Sequence, residues 1–438
     1  MTFKYLILTF SFLAIATIVQ AQSVDSLVQE GLKNNPQLKS FEYQIKATGF
    51  RAAGSQALPA PTVGLEFSQI PTNSFNVLND AISNNISISQ MFMLGGKLSA
   101  MSEVEKKKGK VLEQNQGSLA VQLRAKIKMN YFQLWLFDRQ IEVQQKTISL
   151  LEELARYMLP HVQTNRMRQA DLLTIQAEVS SEQSKLIEMR SKRINIQNTL
   201  HSLLGRDDFS SMITTDTVLS SRSMTTSEFQ LAEKVKELNP SLIAMDRMKE
   251  MNESMINSAD KELIPDLMVQ AMVMRMPNGM ILTGGSRSLN AIQQSAAGMP
   301  MQQTEWMYSI MASITLPFAP WSAERSTSKS DEMRMTNSSI DAEKNAMQRE
   351  MLSSLRSAIN RYVTADTLSK QYSNTIIPLT HEAADAQTIA YQTGQVPIST
   401  VLDARRMELM KQDDYLMTLV DRQMALTEIE MMVGAPLQ

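Results

Sequence analysis

The chain has 438 residues, 43% of them hydrophobic, with a formal net charge of −2. That balance excludes a disordered polyelectrolyte and gives no basic footprint for nucleic acid. There is no cysteine, and His161, His201 and His381 lie far apart, so disulfides and thiolate chemistry are excluded and a histidine zinc site is disfavoured.

The first predicted element is a secretory signal over residues 1–21. Lys4 supplies the positive start, Tyr5 to Val19 an apolar core, and Ala21 a small-residue cleavage site with Val19 at its −3 position. No cysteine follows to carry a lipid, and past residue 22 no run of 18 apolar residues occurs.

The remainder reads as two copies of one plan. Asn34-Asn35-Pro36-Gln37-Leu38 recurs as Leu238-Asn239-Pro240-Ser241-Leu242, and Pro61 recurs at the same spacing as Pro265. Each copy carries two alternating apolar runs and a long helical run, and ends on an apolar-glycine pair, Leu204-Gly205 and Val433-Gly434. The expected boundaries are 22–205 for the first repeat, 206–225 for a linker and 226–438 for the second repeat. A period of about half the chain is a duplication rather than a solenoid, whose repeats run roughly 20–50 residues.

Four segments predict strands. In the first, Val63, Leu65 and Phe67 alternate with small or polar residues; in the second, Ile86, Ile88 and Phe92 do so. The third, Leu267 to Met276, opposes Met268, Met272 and Met274 to Val269, Ala271 and Val273. The fourth, Trp306 to Leu316, has one face wholly apolar or aromatic. Alternation by itself also fits a half-buried soluble sheet. Here the flanking helices are too long for a globular domain, and the connections are about 14 and about 28 residues, longer than a compact core uses. Long loops on one side and alternating strands suit an outer-membrane barrel, with Trp306 and Tyr308 at the height of an aromatic girdle. Four strands cannot close; a barrel needs about eight or more, so copies of the chain must pool theirs, two giving about eight and three about twelve.

Between the second strand and Pro160 lies a predicted helix on the order of 100 Å long at 1.5 Å per residue. Ile127, Leu134, Ile141 and Ile148 recur by sevens on it, a coiled-coil seam. A second long helix, from about Ser322 to Ala390, is too polar to be buried on all sides and suits the wall of a hollow cylinder. Gly95 and Gly96 are read as the strand-to-helix junction of the first repeat, and Pro317 and Pro320 as that of the second. Gly96-Lys97 is no phosphate loop, because the upstream glycine is missing and Leu98 stands where Ser or Thr is needed.

With these features the chain resembles the TolC-type outer-membrane efflux family over essentially its whole mature length. The most specific stretch is Tyr391-Gln-Thr-Gly394-Gln-Val-Pro-Ile-Ser-Thr400-Val-Leu-Asp403-Ala404, similar to the family's periplasmic helix turn; Thr164 to Leu173 is its counterpart in the first repeat. The resemblance implies an α+β membrane protein: a long antiparallel α-helical barrel continuous with a transmembrane β-barrel, built as a homotrimer with four strands per chain. It implies a passive exit channel, not an enzyme, that works with a periplasmic adaptor, an inner-membrane pump and outer-membrane lipid, without a cofactor. It implies tip loops at Asn165, Arg166, Met167, Gly394, Gln395 and Val396 that meet the adaptor. It also implies a gate at Asp403, Thr400, Tyr391 and Asp171. Thr400 stands where relatives often carry Asp, so one acidic ring is thinner. Val396 stands where the arginine partner of Asp171 sits, leaving Arg166 or Arg168 to substitute. The plain reading of Asp403 is a helix first-turn carboxylate favoured by the macrodipole.

The composition includes 33 methionines. Met410, Met417, Met424 and Met431 recur by sevens; Met272, Met274 and Met276 share a strand face, with Met280, Met299 and Met301 in the adjoining loop. Thioethers are soft ligands suited to Cu(I), and some members of the family export copper or silver; methionine is equally a flexible core filler. No metal site is assigned from the sequence. The rival to a channel is a periplasmic adaptor or coiled-coil scaffold, against which two duplicated hairpins speak.

Overall fold

The computed structural model describes residues 23–73, 75–164, 168–219, 224–277 and 304–437. The signal segment, Asn165, Arg166, Met167, Met280, Met299 and Met301 lie outside the described residues. The elements in chain order are α1 (Val24–Asn34), α2 (Pro36–Gly54), β1 (Thr62–Ser68), the single turn α3 (Val77–Asp80), β2 (Ser83–Met93), α4 (Lys97–Gln163) and α5 (Gln169–Leu204). There follow α6 (Glu228–Leu238), α7 (Pro240–Lys261), β3 (Asp266–Met276), β4 (Glu305–Ile314), α8 (Pro320–Gln371), α9 (Ile377–Gln392) and α10 (Ile398–Val433). They fall into two compact units, one of residues 1–40, 116–241 and 347–438, the other of residues 41–115 and 242–346.

The second unit holds one antiparallel sheet in the order β1-β2-β3-β4. Its register sorts the side chains by the period-two rule. Val63 and Leu65 lie opposite Ile88 and Ile86, which lie opposite Ala271 and Val273, which lie opposite Ile310 and Tyr308. This apolar face is open: Val63, Leu65, Ile86, Ile88, Tyr308 and Ile310 are all more than half exposed. The other face is polar, carrying Glu66, Asn85, Ser87, Ser89, Gln270 and Ser309. Every methionine of the four strands lies on it: Met91 and Met93 in β2, Met268, Met272, Met274 and Met276 in β3, Met307 and Met311 in β4.

Between β2 and α4 the backbone passes through Gly95 and Gly96 at φ +68° and +74°. A side chain at Gly95 would collide with Ile264, so this position requires glycine for space as well as for φ. Lys97 opens α4 and pairs with Asp266 at the start of β3 at 2.7 Å, both side chains largely buried. Before α8, Ala319 N–H donates to the Leu316 carbonyl at 3.2 Å, and the Ser322 hydroxyl donates to the Pro317 carbonyl at 2.9 Å; Pro320, which has no N–H to leave unsatisfied, is the first helical residue. The helices of this unit meet through polar contacts, among them Arg51–Glu105 at 3.1 Å, Lys107–Glu250 at 3.0 Å and Ser330–Asp260 at 2.7 Å.

The first unit has a conventional core. Ile127 and Leu134, two members of the expected seam, are fully buried with Leu27, Leu200, Leu204 and Ile213. Tyr131 and Trp135 bind the linker, the phenol donating to Asp216 Oδ2 at 3.0 Å and the indole N–H to the Asp216 carbonyl at 2.8 Å. Burial pushes the Tyr131 phenol up to about 12. Two helix junctions are built alike. The Asn35 amide donates to the Leu203 carbonyl at 3.5 Å while its oxygen accepts from Gln37 N–H; the Asn239 amide donates to the Met432 carbonyl at 2.7 Å while its oxygen accepts from Ser241 N–H. Both partner helices end on a left-handed glycine, Gly205 at φ +70° and Gly434 at φ +82°.

Two helical expectations are corrected. α4 runs through Pro160 and ends at Gln163, since a proline near the helix end disturbs few remaining bonds. The second long helix starts at Pro320 and is interrupted by a π turn at Tyr372–Ile376, where Ile377 N–H donates to the Tyr372 carbonyl. Pro378 follows at once, and the wider turn accommodates a ring that an unbroken α-helix would strain.

Candidate functional site

Within the first unit, α4 with α5 and α9 with α10 are hairpins, and their ends carry the residues singled out in the sequence. The second turn is fully described. Gly394 has φ +76°; its N–H donates to the Tyr391 carbonyl and Gln395 N–H to the Ala390 carbonyl, each at 2.9 Å, which satisfies the last carbonyls of α9. A methyl group at Gly394 would meet nothing within 4 Å, so this glycine serves backbone conformation alone. Pro397, with φ −73° and ψ 158°, then leads into α10, whose first turn closes with Thr400 N–H on the Pro397 carbonyl at 3.1 Å.

Both hairpin ends share one apolar cluster: Leu151 and Met158 of α4, Leu172 and Ile175 of α5, Tyr391 of α9, and Ile398, Val401 and Leu402 of α10. Val396 packs against it. The buried Tyr391 hydroxyl donates to the Met158 thioether at 3.6 Å. Burial, followed by the negative charge of Asp171, raises the pKa of this phenol. Asp171 sits in the first turn of α5 and pairs with Arg168 at 3.2 Å. Arg168 is thus one partner of this carboxylate, and Arg166 lies outside the described residues.

Tyr391 and Asp171 are therefore brought together, whereas Asp403 stands apart. Its side chain is 73% exposed and lies 3.4 Å from Arg406. α10 begins at Ile398 and has no acidic residue in its first turn. The macrodipole reading of Asp403 loses its force, because that effect fades beyond the terminal turn. Thr400 is half-buried, and Gly394 and Gln395 are exposed.

A charged clamp behind the turn had no counterpart among the expected residues. Arg405 of α10 donates to Glu408 at 2.8 Å and to Asp385 of α9 at 2.6 Å, and His381 Nδ1 lies 2.6 Å from Glu408. The hydrogen bond to Glu408, then its charge, raises the His381 pKa. Arg406 forms a bidentate pair with Glu178 of α5 at 2.8 and 2.6 Å, and its hydrogen bonds hold the Glu178 carboxyl below its usual range against the opposing effect of burial. The i,i+3 pair Arg405–Glu408 and the i,i+4 pair His381–Asp385 were visible as spacings; their meeting across two helices was not. An open groove of about 470 Å³ runs beside this clamp, lined in part by Leu150, Leu154, Tyr157, His381 and Arg405. Nearby on α10, burial pushes Asp413 up to about 6, with Asp414 and Glu182 adding repulsion.

Two helical hairpins closed on one apolar cluster, joined in sequence to a four-stranded sheet with an open apolar face, can be compared with known proteins. Residues 27–206 match the outer membrane efflux protein family. That family is one of outer-membrane proteins, and the match covers the first hairpin, β1 and β2. The fold of the whole chain is that of solved outer-membrane channels. A CusC structure concerned with folding and transmembrane channel formation shares 16% identity, covering 95% of this chain and 92% of that one, at a TM-score of 0.73. The outer membrane protein VceC of Vibrio cholerae shares 13%, covering 95% and 97%, at 0.71. The open-state MtrE outer membrane channel of Neisseria gonorrhoeae shares 15%, covering 95% and 89%, at 0.70. No curated protein sequence is significantly similar.

Proposed function

We propose that the chain is the outer-membrane exit duct of a tripartite efflux assembly, active as a homotrimer. The observation that carries this is the sheet's open apolar face. Leaving such side chains in water forgoes about 1.5–3 kcal/mol for each large one, so the face calls for a hydrocarbon neighbour. No helix among the described residues is long and apolar enough to cross a membrane, which leaves the strands to do it. β1 and β4 are the two edges of the sheet, and their free backbone groups need partners inside a bilayer. Three copies supply about twelve strands, enough to close a barrel around an aqueous path.

On this reading the hairpin ends are the periplasmic gate. Tyr391, Asp171 and the shared apolar cluster hold the hairpins together in the closed state, and Asp403 and Thr400 face the conducting axis. Asn165, Arg166, Met167, Gly394, Gln395 and Val396 meet a periplasmic adaptor, whose engagement splays the hairpins. An inner-membrane pump supplies the energy, and solutes cross the duct passively. The test is extraction from outer membranes followed by planar-bilayer recording. A heat-modifiable trimer with discrete conductance is expected. Recovery of a soluble, non-conducting monomer from the periplasm would overturn the reading.

A further inference from the structure

We propose that Arg275, at the far rim of the sheet's open apolar face, binds the phosphate of an anionic glycolipid headgroup in the outer leaflet. The inference rests on the channel reading, because only a membrane-spanning sheet brings this face against lipid.

Arg275 is the one cation in β1 to β4, whose other charged residues are Glu66, Asp266 and Glu305. The register decides which face carries it. Arg275 lies opposite Asn84 of β2 and Trp306 of β4, in the row that follows Ile86, Val273 and Tyr308. Two residues along a strand make one step on the same face, so Arg275 belongs to the apolar face. Glu66, Asp266 and Glu305 all fall on the other face, opposite Asn85, Met93 and Met276.

The strand geometry gives the depth of this charge. Arg275 stands about 30 Å from Asp266 along β3 at 3.3 Å per residue, which a tilt of about 40° reduces to about 23 Å in height. The apolar band of an outer-membrane barrel is about 25 Å tall. Asp266 begins β3 directly after α7, at the end of the sheet that joins the helices. Arg275 therefore marks the opposite boundary, that of the outer leaflet. Trp306 and Tyr308 beside it are 65% and 83% exposed. Such rings favour the headgroup level, where an apolar body meets lipid and a polar edge meets water.

The guanidinium is held in place without being neutralised. Its Nη1 donates to the Leu78 carbonyl at 3.2 Å, and the Asn84 amide donates to the same carbonyl at 2.7 Å. Among the described residues no carboxylate pairs with Arg275. The rest of its planar donor fork is left for a ligand, and that fork matches two phosphate oxygens at once. A charge at the border of hydrocarbon calls for a counter-ion. At the outer leaflet this is the phosphate of a glycolipid, whose acyl chains then lie along Val273, Tyr308 and Ile310.

The test uses the full mature trimer purified in detergent and native mass spectrometry of the bound lipid. Diphosphoryl lipid A is the probe, and phosphatidylglycerol is the phospholipid compared with it. The wild type is expected to retain lipid A at least fivefold better than phosphatidylglycerol. Arg275→Gln should lower lipid A retention at least fivefold. Arg275→Lys should lower it about two- to threefold, since the charge stays and the fork is lost. The control Arg325→Gln, at an exposed position of α8, should leave it unchanged. Equal retention by Arg275→Gln, or equal loading of the wild type with phosphatidylglycerol, overturns the site. Should Arg275→Gln yield no trimer, unchanged retention by Arg275→Lys overturns it instead. Bilayer conductance recorded on the same samples separates the two readings. Normal conductance without lipid A retention removes this proposal alone, whereas a non-conducting wild type removes the duct and this site with it.

Discussion

The Tyr391 hydroxyl of α9 donates to the Met158 thioether of α4 at 3.6 Å, tying the two hairpins inside their shared cluster. Sulfur is a weak acceptor, so Tyr391→Phe should cost about 0.5–1 kcal/mol, the low end for a buried hydrogen bond. Tyr391→Ala also empties the cluster and should cost about 3–5 kcal/mol. Thermal unfolding of the detergent-solubilised protein checks both; equal losses would mean that the ring packs nothing.

Gly394 and Gly95 share a left-handed backbone but differ in surroundings. Gly394→Ala meets open space and should cost only the conformational strain, about 1–2 kcal/mol. Gly95→Ala adds the collision with Ile264 and should be clearly worse. In a double-mutant cycle Ile264→Ala should recover part of the Gly95→Ala loss and none of the Gly394→Ala loss.

Asp413 has a folded pKa near 6, raised above its unfolded value by burial. A raised carboxylate pKa works against the fold where the group must ionise. The cost is absent below about pH 4 and fully present above about pH 6. Asp413→Asn should therefore stabilise the protein at neutral pH and have little effect in acid. A variant that is equally stabilised at both ends would rule out ionisation as the cause.

His381 has the opposite sign. Its pKa is raised by Glu408, so its contribution is complete below the unfolded value and fades as pH rises through the folded one. The stability lost in His381→Gln should be larger at about pH 6 than at about pH 9. Unfolding curves of wild type and variant at both values measure it, and a pH-independent difference would show the ring acting only by packing.

Asp403 is exposed, and Arg406 is held more firmly by Glu178 than by it. Asp403→Ala should thus leave the hairpins intact while making the closed pore leakier and less cation-selective, because copies of this carboxylate facing one axis attract cations. Reversal potentials under a salt gradient in planar bilayers decide it; unchanged ion preference would remove Asp403 from the gate.

The four strands and the paired glycines and prolines around them were legible in the sequence because alternation, φ tolerance and the missing proline N–H act within a few residues. The π turn was not, although Pro378 marked a disturbance, since a proline alone does not say whether a helix breaks, kinks or widens. Nor was the clamp of His381, Arg405, Glu408 and Asp385, which needs α9 and α10 laid side by side at one relative height.

What the sequence determined by itself was therefore the local plan: which residues alternate, which glycines and prolines stand between strand and helix, and that Met272, Met274 and Met276 share a face. Only the tertiary structure decided which distant residues meet. It set Lys97 on Asp266, Arg406 on Glu178, and Met274 against Met307 through the β3–β4 register. Backbone preferences are settled by near neighbours, whereas a slip of one residue between strands would turn every partner to the other face. That choice is made by the packing of the whole sheet.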